Sequence, residues 1–365
     1  MEVRRYAGLA ALPEAYEGLF RAAEEESFFN GALWYRALLA TATTPGSEQH
    51  FYGLEGKASR RPLALLPAIS SPQSRGPLGA RLLSGCHSVY SMAFSPRLAP
   101  DLRERGAAIE ALAGALAADR PRWDAISLRL LDRESELFAQ LLDAFDRCGL
   151  SPEPYFQFGN WYEEVAGRSF ERYLADRGKS IRKTAARAVR HFDDRSDGTC
   201  TIFSGEGNLE GAIADFKKVY GASWKTEEQH PAFIERLMRD CAARGILRLA
   251  NLYLDGRPVA TWFVLFAHGT AVLLKTAYDG EVPGNLSVGG VLTFKVIQHL
   301  IDVDGAEVID FGTGDEEYKS KWMSSRRERW GIMAYNRRTA KGALLAAVMQ
   351  GRTLARGALR RSAAQ

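Results

Sequence analysis

Apolar and polar residues alternate over Gln49–Leu54 and again over Pro62–Ile69, around a polar turn at Gly56–Arg61, a pattern that predicts a β-hairpin. A spaced-apolar run at 104–118 then predicts a helix, and Asp124–Leu130 a further strand. The same plan returns later in the chain. Leu247–Leu254 and Val259–Phe266 flank the turn Asp255-Gly256-Arg257-Pro258, a third strand runs Ala271–Tyr278, and a helix at 288–302 leads to a strand at 307–311. The chain reads as an α/β (α+β) pseudo-duplication. A break near 155–165 separates the copies, where Ser151-Pro152-Glu153-Pro154 ends a helix and an aromatic segment (Tyr155, Phe156, Phe158, Trp161, Tyr162) begins. The expected division is 1–155, 156–338 and a basic helical tail, 339–365.

The copies are unequal. The second has a glycine loop, Tyr278-Asp279-Gly280-Glu281-Val282-Pro283-Gly284-Asn285-Leu286-Ser287-Val288-Gly289-Gly290, leading into its helix. Its later strand ends in Asp310-Phe311-Gly312-Thr313-Gly314-Asp315-Glu316-Glu317-Tyr318-Lys319-Ser320-Lys321-Trp322, glycines followed by clustered ionisable groups. At the matching places the first copy has Ser70-Ser71-Pro72-Gln73-Ser74-Arg75-Gly76-Pro77-Leu78-Gly79, whose prolines resist a neat helix entry, and Arg129-Leu130-Leu131-Asp132, without glycines. The chemistry is therefore assigned to the second copy, where two strand ends of one sheet suggest acyl transfer.

Length and composition narrow the setting. At 365 residues, 46% hydrophobic and 25% charged, the chain exceeds one ordinary core and suits two domains of a soluble protein. Glu110 interrupts the apolar run 107–118, and His268-Gly269 divides 261–274, so no run suffices for a membrane span. The amino terminus lacks a secretory pattern, and a cytoplasmic location is expected. Cys86, Cys148, Cys200 and Cys241 stand far apart, no H-E-x-x-H or G-x-S-x-G occurs, and no metal is expected. Residues 326–365 carry net +9, leaving −5 for the rest, so the tail is either a solvated helix face or a contact for a phosphate-rich partner or the inner membrane face.

Each candidate has a plain structural alternative. Pro283, Gly284, Ser287, Val288, Gly289 and Gly290 could cradle a pyrophosphate at a helix start, or form an ordinary strand-to-helix turn. Neither glycine segment completes G-x-G-x-x-G, and Gly178-Lys179-Ser180 fails as a P-loop because Tyr173 stands where the first glycine belongs. Asp310, Asp315, Glu316 and Glu317 could orient or deprotonate an amine, Tyr318 could protonate a leaving thiolate, and Lys319 and Lys321 could hold anionic groups. Alternatively Asp315 caps a short helix, and Tyr318 and Trp322 form its core stripe. From Arg177 to Arg190 there are six basic residues and no acid, with Ile181, Ala185, Ala188 and Phe192 on one helical face and Lys183, Arg187 and Arg190 on another. His87 and Tyr90, within Ser84–Met92, belong to a buried polar turn or an acceptor-pocket wall. Lys275 either faces solvent or joins the site, and Trp224, Trp262, Phe263 and Tyr278 suit core packing.

These residues resemble the tandem GNAT-fold acyltransferases, the group that includes the Fem-type peptidoglycan aminoacyltransferases and acetyltransferases of cellulose and exopolysaccharide synthesis. The resemblance rests on Lys179-Ser180-Ile181-Arg182-Lys183, Asp255-Gly256-Arg257-Pro258-Val259-Ala260, Pro283-Gly284, and above all Asp310-Phe311-Gly312-x-Gly314-Asp315 with Tyr318-Lys319 and Trp322. It implies two GNAT-like domains, each a mixed, mostly antiparallel sheet flanked by helices, the first with a degenerate cofactor site. It implies acetyl-CoA or another acyl-CoA as co-substrate, its pyrophosphate over the helix near Val288, with Asp315, Tyr318, Asp310 and Lys319 as catalytic candidates and His87, Tyr90, Lys275 and Trp322 around the substrate. An amine acceptor, such as an amino sugar or other glycan precursor of a cell-surface polymer, would attack the thioester. Fem-type transfer from aminoacyl-tRNA is the alternative, and a silent partner of a polysaccharide synthase is a third.

Overall fold

The computed structural model describes residues 1–72, 76–179 and 181–362, so Gln73–Arg75 of the proline segment and Ser180 of the basic run lie outside the described residues. The chain forms two compact units, Met1–Gln157 with Glu328–Gln365, and Phe158–Arg327. The sequence reading ends the first unit within two residues of this division, but it keeps 328–338 in the second and makes 339–365 a separate tail. The chain returns because residues 329–335 pair with a strand of the first unit.

In the first unit the strands are β1 (Glu2–Tyr6), β2 (Glu48–Glu55), β3 (Pro62–Ser70), β4 (Leu82–Gly85), β5 (Arg97–Leu98) and β6 (Ala125–Asp132). Helices α1 (Glu17–Glu26), α2 (Ala32–Thr41), α3 (Arg105–Ala118) and α4 (Glu136–Arg147) accompany them, and β7 (Leu150–Glu164) leads onward. The hairpin, the helix and the later strand stand where the alternation predicts. β4 was missed: four residues are too short for alternation to register, and it takes in Ser84 and Gly85 of the segment read as a polar turn. It pairs antiparallel with β3 and parallel with β6, with α3 in the crossover.

The second unit adds α5 (Phe170–Ala175), one wide turn at Ile181–Ala185, α6 (Ala186–Asp193), β8 (Gly198–Phe203), α7 (Leu209–Gly221) and α8 (Pro231–Ala243). Then come β9 (Leu247–Leu254), β10 (Arg257–Ala267), β11 (Thr270–Tyr278), α9 (Val288–Asp302), β12 (Val308–Asp310) and α10 (Glu317–Trp322). The order is β7-β12-β11-β10-β9-β8, antiparallel except where β11 and β12 run parallel across the α9 crossover. Both tight turns of this meander have positive φ at two successive residues, Asp255-Gly256 (49° and 70°) and His268-Gly269 (49° and 71°), as two-residue hairpin loops require. α9 is apolar almost all round, and nine of its fifteen residues are buried. It packs with α5 and α6 on the face presenting Trp262 and Val264, while Phe263 meets Phe216 of α7 on the other.

The basic run divides. Arg177 is buried and ion-paired with Glu163 at 2.9 Å, so it is a structural residue rather than part of the charged surface. Burial alone would raise the Glu163 pKa, but hydrogen bonds from Ser324, Arg168 and Arg177 together hold it down. Ala185, Val189 and Phe192 turn inward, and Arg182, Lys183, Arg187 and Arg190 are exposed. The chain closes with β13 (Ser325–Asn336) and α11 (Ala340–Ser362), whose Leu345 and Ala346 pack on Ala80, Ala125 and Tyr335 in the first unit.

Candidate active site

The parallel ladder between β11 and β12 has three rungs and stops at Val272↔Asp310, while β11 runs six residues further, to Tyr278. A parallel pair that parts in this way leaves a gap between the strand that continues and the chain leaving the one that stops. Within that stretch the β10–β11 ladder passes from Phe263↔Lys275 to Val264↔Leu273, so Leu274 is a bulge and its backbone is excused from pairing.

On the β12 side, buried polar bonds hold the departing chain. Asp310 is 4% exposed, and its Oδ1 accepts from Asn160 Nδ2 (2.6 Å) and from the Gly312 amide (2.7 Å). Asn160 also donates to the Gly312 carbonyl (2.9 Å), and Arg327 donates to both Asn160 Oδ1 (2.6 Å) and Asp310 Oδ2. Gly312 and Gly314 have φ of 67° and 109°, conformations that the tight exit demands and L side chains resist. Asp310 is thus a fully engaged brace rather than a free base.

The other candidates of this segment separate by role. Asp315 accepts from Arg326 and from Trp161 Nε1 (2.6 Å), and the Arg326 guanidinium holds its carboxyl below the usual aspartate range against the opposing effect of burial, with the indole adding to the lowering. Such a group is a weak base. Lys319, 3% exposed, donates to the Thr313 carbonyl (2.6 Å) and pairs with Glu316 (2.9 Å), clamping the loop from beneath. Trp322 is 5% exposed and lies in the core, and its carbonyl accepts from Tyr173 (2.6 Å) and Arg177 (2.9 Å), so its ring is no substrate wall. Tyr318 differs. Its ring is 40% exposed, its hydroxyl has no hydrogen bond among the described residues, and its crowded surroundings with Glu316 push the phenol up to about 12. It stays protonated at neutral pH.

The glycine loop closes the other end of the gap. Pro283 and Gly284 are exposed, Ser287 precedes α9 in the left-handed region (φ 46°), and among the described residues no side chain caps the helix. Its first amides are therefore available to an anion. Val288 is buried and serves the core. The glycines also have an internal duty, since a Cβ at Gly289 would come 3.2 Å from the Tyr278 ring and one at Gly290 2.8 Å from Ser287 Oγ. Lys275 is half-buried and ion-paired with Glu228 at 2.7 Å. Trp224 and Tyr278, expected in the core, are exposed and lie ring to ring at 4.3 Å, whereas Trp262 and Phe263 are buried.

His87 and Tyr90 belong to the first unit, and both face inward there. His87 Nε2 is sealed from solvent without a hydrogen-bond partner among the described residues, and burial, with Arg129 adding, lowers its pKa to about 3. The Tyr90 side chain is buried. Asn160, Arg326 and Arg327 were missed as partners of the cluster. The one available signal was the pair Arg326-Arg327 just beyond a run of acids.

Residues 179–320, all within the second unit, match the family model described as an acetyltransferase (GNAT) domain. The chain carries a GNAT-type acyltransferase domain. Solved structures extend the likeness to both units: FemX (12% identity, 92% of this chain and 98% of that one, TM-score 0.60) and a tandem GNAT protein from the clavulanic acid biosynthesis pathway (12%, 91% and 98%, TM-score 0.54). A third is the C-terminal domain of a putative lysylphosphatidylglycerol synthetase from Agrobacterium fabrum (13%, 92% and 96%, TM-score 0.54). At these identities the likeness is one of fold. Comparison with curated proteins yields no match. Among the described residues no cluster of His, Cys, Asp and Glu could hold a metal, and no helix is long and apolar enough to cross a membrane.

Proposed function

We propose that the GNAT domain transfers an acyl group, acetyl in the simplest case, from acyl-CoA to the amine of a polar acceptor. The observation that carries this reading is the gap between β11 and β12, with a bulge at Leu274 on its wall and the uncapped start of α9 at its end. A thioester lying along β11 has its pyrophosphate at the α9 amides and its carbonyl near the bulge, where the unpaired backbone N–H is the candidate oxyanion donor. The amine nitrogen bonds to the thioester carbon and releases its proton to solvent, and the tetrahedral centre collapses with cleavage of the C–S bond. The departing thiolate takes a proton from Tyr318, a phenol held protonated, and the phenolate is reprotonated from solvent. Asp310, Asn160, Lys319 and Arg326 position the loop that carries Tyr318. Cell-surface polymer precursors, amino sugars among them, are the setting the sequence resemblance implies for the acceptor.

Calorimetry with acetyl-CoA, followed by thiol release in the presence of small amines, tests the reading. Binding of one equivalent per chain with amine-dependent release supports it, and absence of both defeats it. A second donor, aminoacyl-tRNA, is favoured by the exposed Lys183, Arg187 and Arg190, which have no ion-pair partner among the described residues. Transfer that is abolished by RNase and insensitive to acetyl-CoA would select it. For the tail we propose contact with an anionic membrane surface. Replacing Arg352, Arg356, Arg360 and Arg361 together with Gln should reduce sedimentation with anionic vesicles at low salt, at about 1 kcal/mol per residue, and unchanged sedimentation returns the tail to a solvated helix.

A further inference from the structure

On the face of the second unit opposite α9, the end of α7, the start of α8 and the loop between them enclose a cavity of about 290 Å³ lined by Phe216, Tyr220, Lys225, Glu228, Pro231 and Ile234 among others. The connecting loop is firmly set. Ser223 Oγ donates to the Tyr220 carbonyl (2.7 Å) and accepts from the Lys225 amide (3.3 Å), and Pro231 opens α8.

Two ion pairs border the cavity, and Lys225 and Glu227 stand outside them among the described residues. Lys217 pairs with Glu235 and Lys275 with Glu228, each at 2.7 Å. Lys225, half-buried, has no ion pair among the described residues, and its ammonium lies 5.8 Å from the Tyr220 ring and 6.0 Å from the Trp224 ring. A partly desolvated ammonium held over aromatic rings, with no ion pair among the described residues, is able to take an anion. Burial, and then the charge of Lys275, lower its pKa against the opposing charges of Glu316 and Glu228. The cavity also adjoins the reaction path. Lys275 follows the Leu274 bulge directly and reaches into the cavity through Glu228, and Lys225 feels the charges of Glu316 and Lys319 on the loop that carries Tyr318.

We infer that this cavity receives the acceptor and that Lys225 reads a carboxylate on it, so that the acceptor is an amine bearing a carboxylate nearby, of amino-acid size at the reacting end. This inference rests on the acyltransfer reading for the amine and on the cavity itself for the carboxylate. Carboxylate is preferred to phosphate because Glu227, Glu228 and Glu235 line the same small space and repel a dianion more than a monoanion.

The probes are L-lysine, its methyl ester, 1,5-diaminopentane and phosphoethanolamine, each titrated calorimetrically into the full chain and then supplied as acceptor with acetyl-CoA. The expected result is binding of lysine about tenfold tighter than of its ester, the size of one charge-assisted hydrogen bond, with the same ratio in acceptor KM. Lys225→Ala should reduce that ratio to less than about twofold and Lys225→Arg should keep it. In the wild type the preference should fall as alkaline pH removes the Lys225 charge, and in Lys225→Arg it should persist to higher pH. Equal binding of lysine and its ester, an unchanged ratio in Lys225→Ala, stronger binding of phosphoethanolamine, or no binding of any probe overturns the proposal. Preferential binding that depends on Lys225 but is not followed by thiol release from acetyl-CoA would leave the carboxylate site standing and overturn the donor assignment instead.

Discussion

The two units share a plan and differ where their parallel strands part. In the first, β4 pairs with β6 as far as Ser84↔Ser127 and ends one residue later, and the strand that runs on, to Asp132, is β6, which pairs with β13 on its other side. In the second, β11 continues six residues beyond its last rung with β12. Their crossover helices differ in the same sense: α3 begins after Glu104, an acid where an anion would bind, and α9 begins after Ser287 with Val288-Gly289-Gly290. The polar braces follow suit. Asp132 ends β6 with a side chain 40% exposed and an ion pair to Arg329 at 3.2 Å, whereas Asp310 ends β12 with a side chain 6% exposed and binds Asn160, Gly312 and Arg327. A duplicated fold acquires a reactive gap by lengthening one strand and tying down the next, with its core plan unchanged.

The comparison breaks first at the braces. Asp310→Ala leaves buried donors on Asn160, Gly312 and Arg327 without their acceptor and should cost about 3 kcal/mol in chemical denaturation, with activity lost. Asp132→Ala should cost about 1 kcal/mol or less. Equal losses would mean that the second strand end is no more constrained than the first. Next, Tyr318→Phe should lower kcat about 10²-fold with acetyl-CoA binding and stability unchanged. A near-normal kcat would assign Tyr318 to packing against Phe311.

The helix starts sharpen the contrast. Gly290→Glu should weaken acetyl-CoA binding at least about tenfold by placing an acid among the first amides of α9. Gly106→Glu, at the corresponding turn of α3 where a Cβ meets nothing within 4 Å, should leave binding unchanged. Loss in both, or two equivalents bound per chain, would give the first unit a donor site of its own. The smallest expected effect is that of pH on the exit loop. The Asp315 pKa is lowered in the fold by Arg326, so the bond's contribution is complete above the ordinary value of 3.8 and is lost as pH falls through the lowered one. Wild type and Asp315→Asn should therefore differ slightly in melting temperature at pH 7 and converge in strong acid, and a gap that persists there would point to Trp161 instead.

Much of the fold was readable from local pattern. Asp255-Gly256 and His268-Gly269 can follow few backbone paths, and the alternation of the flanking residues leaves one register that buries the apolar face. The apolar surface of α9 allows no position but a buried one. These features depend on neighbours a few positions apart, and such information is local in the chain. β4 escaped because four residues carry too little of it.

The amino-acid sequence thus determined the two copies, their hairpins and crossover helices, and the stretch in which chemistry is concentrated, because periodicity and turn geometry act over short distances. Only the tertiary structure decided where β11 and β12 separate, since a ladder ends where the partner chain is drawn away. It brought Asn160 to Asp310 across 150 positions, paired Arg177 with Glu163, and gave Lys275 an ion pair with Glu228 while Lys225 has none among the described residues. Hydrogen bonds and ion pairs form between groups that the fold places within about 3 Å, and polar residues carry no periodic mark in the sequence that names their partners.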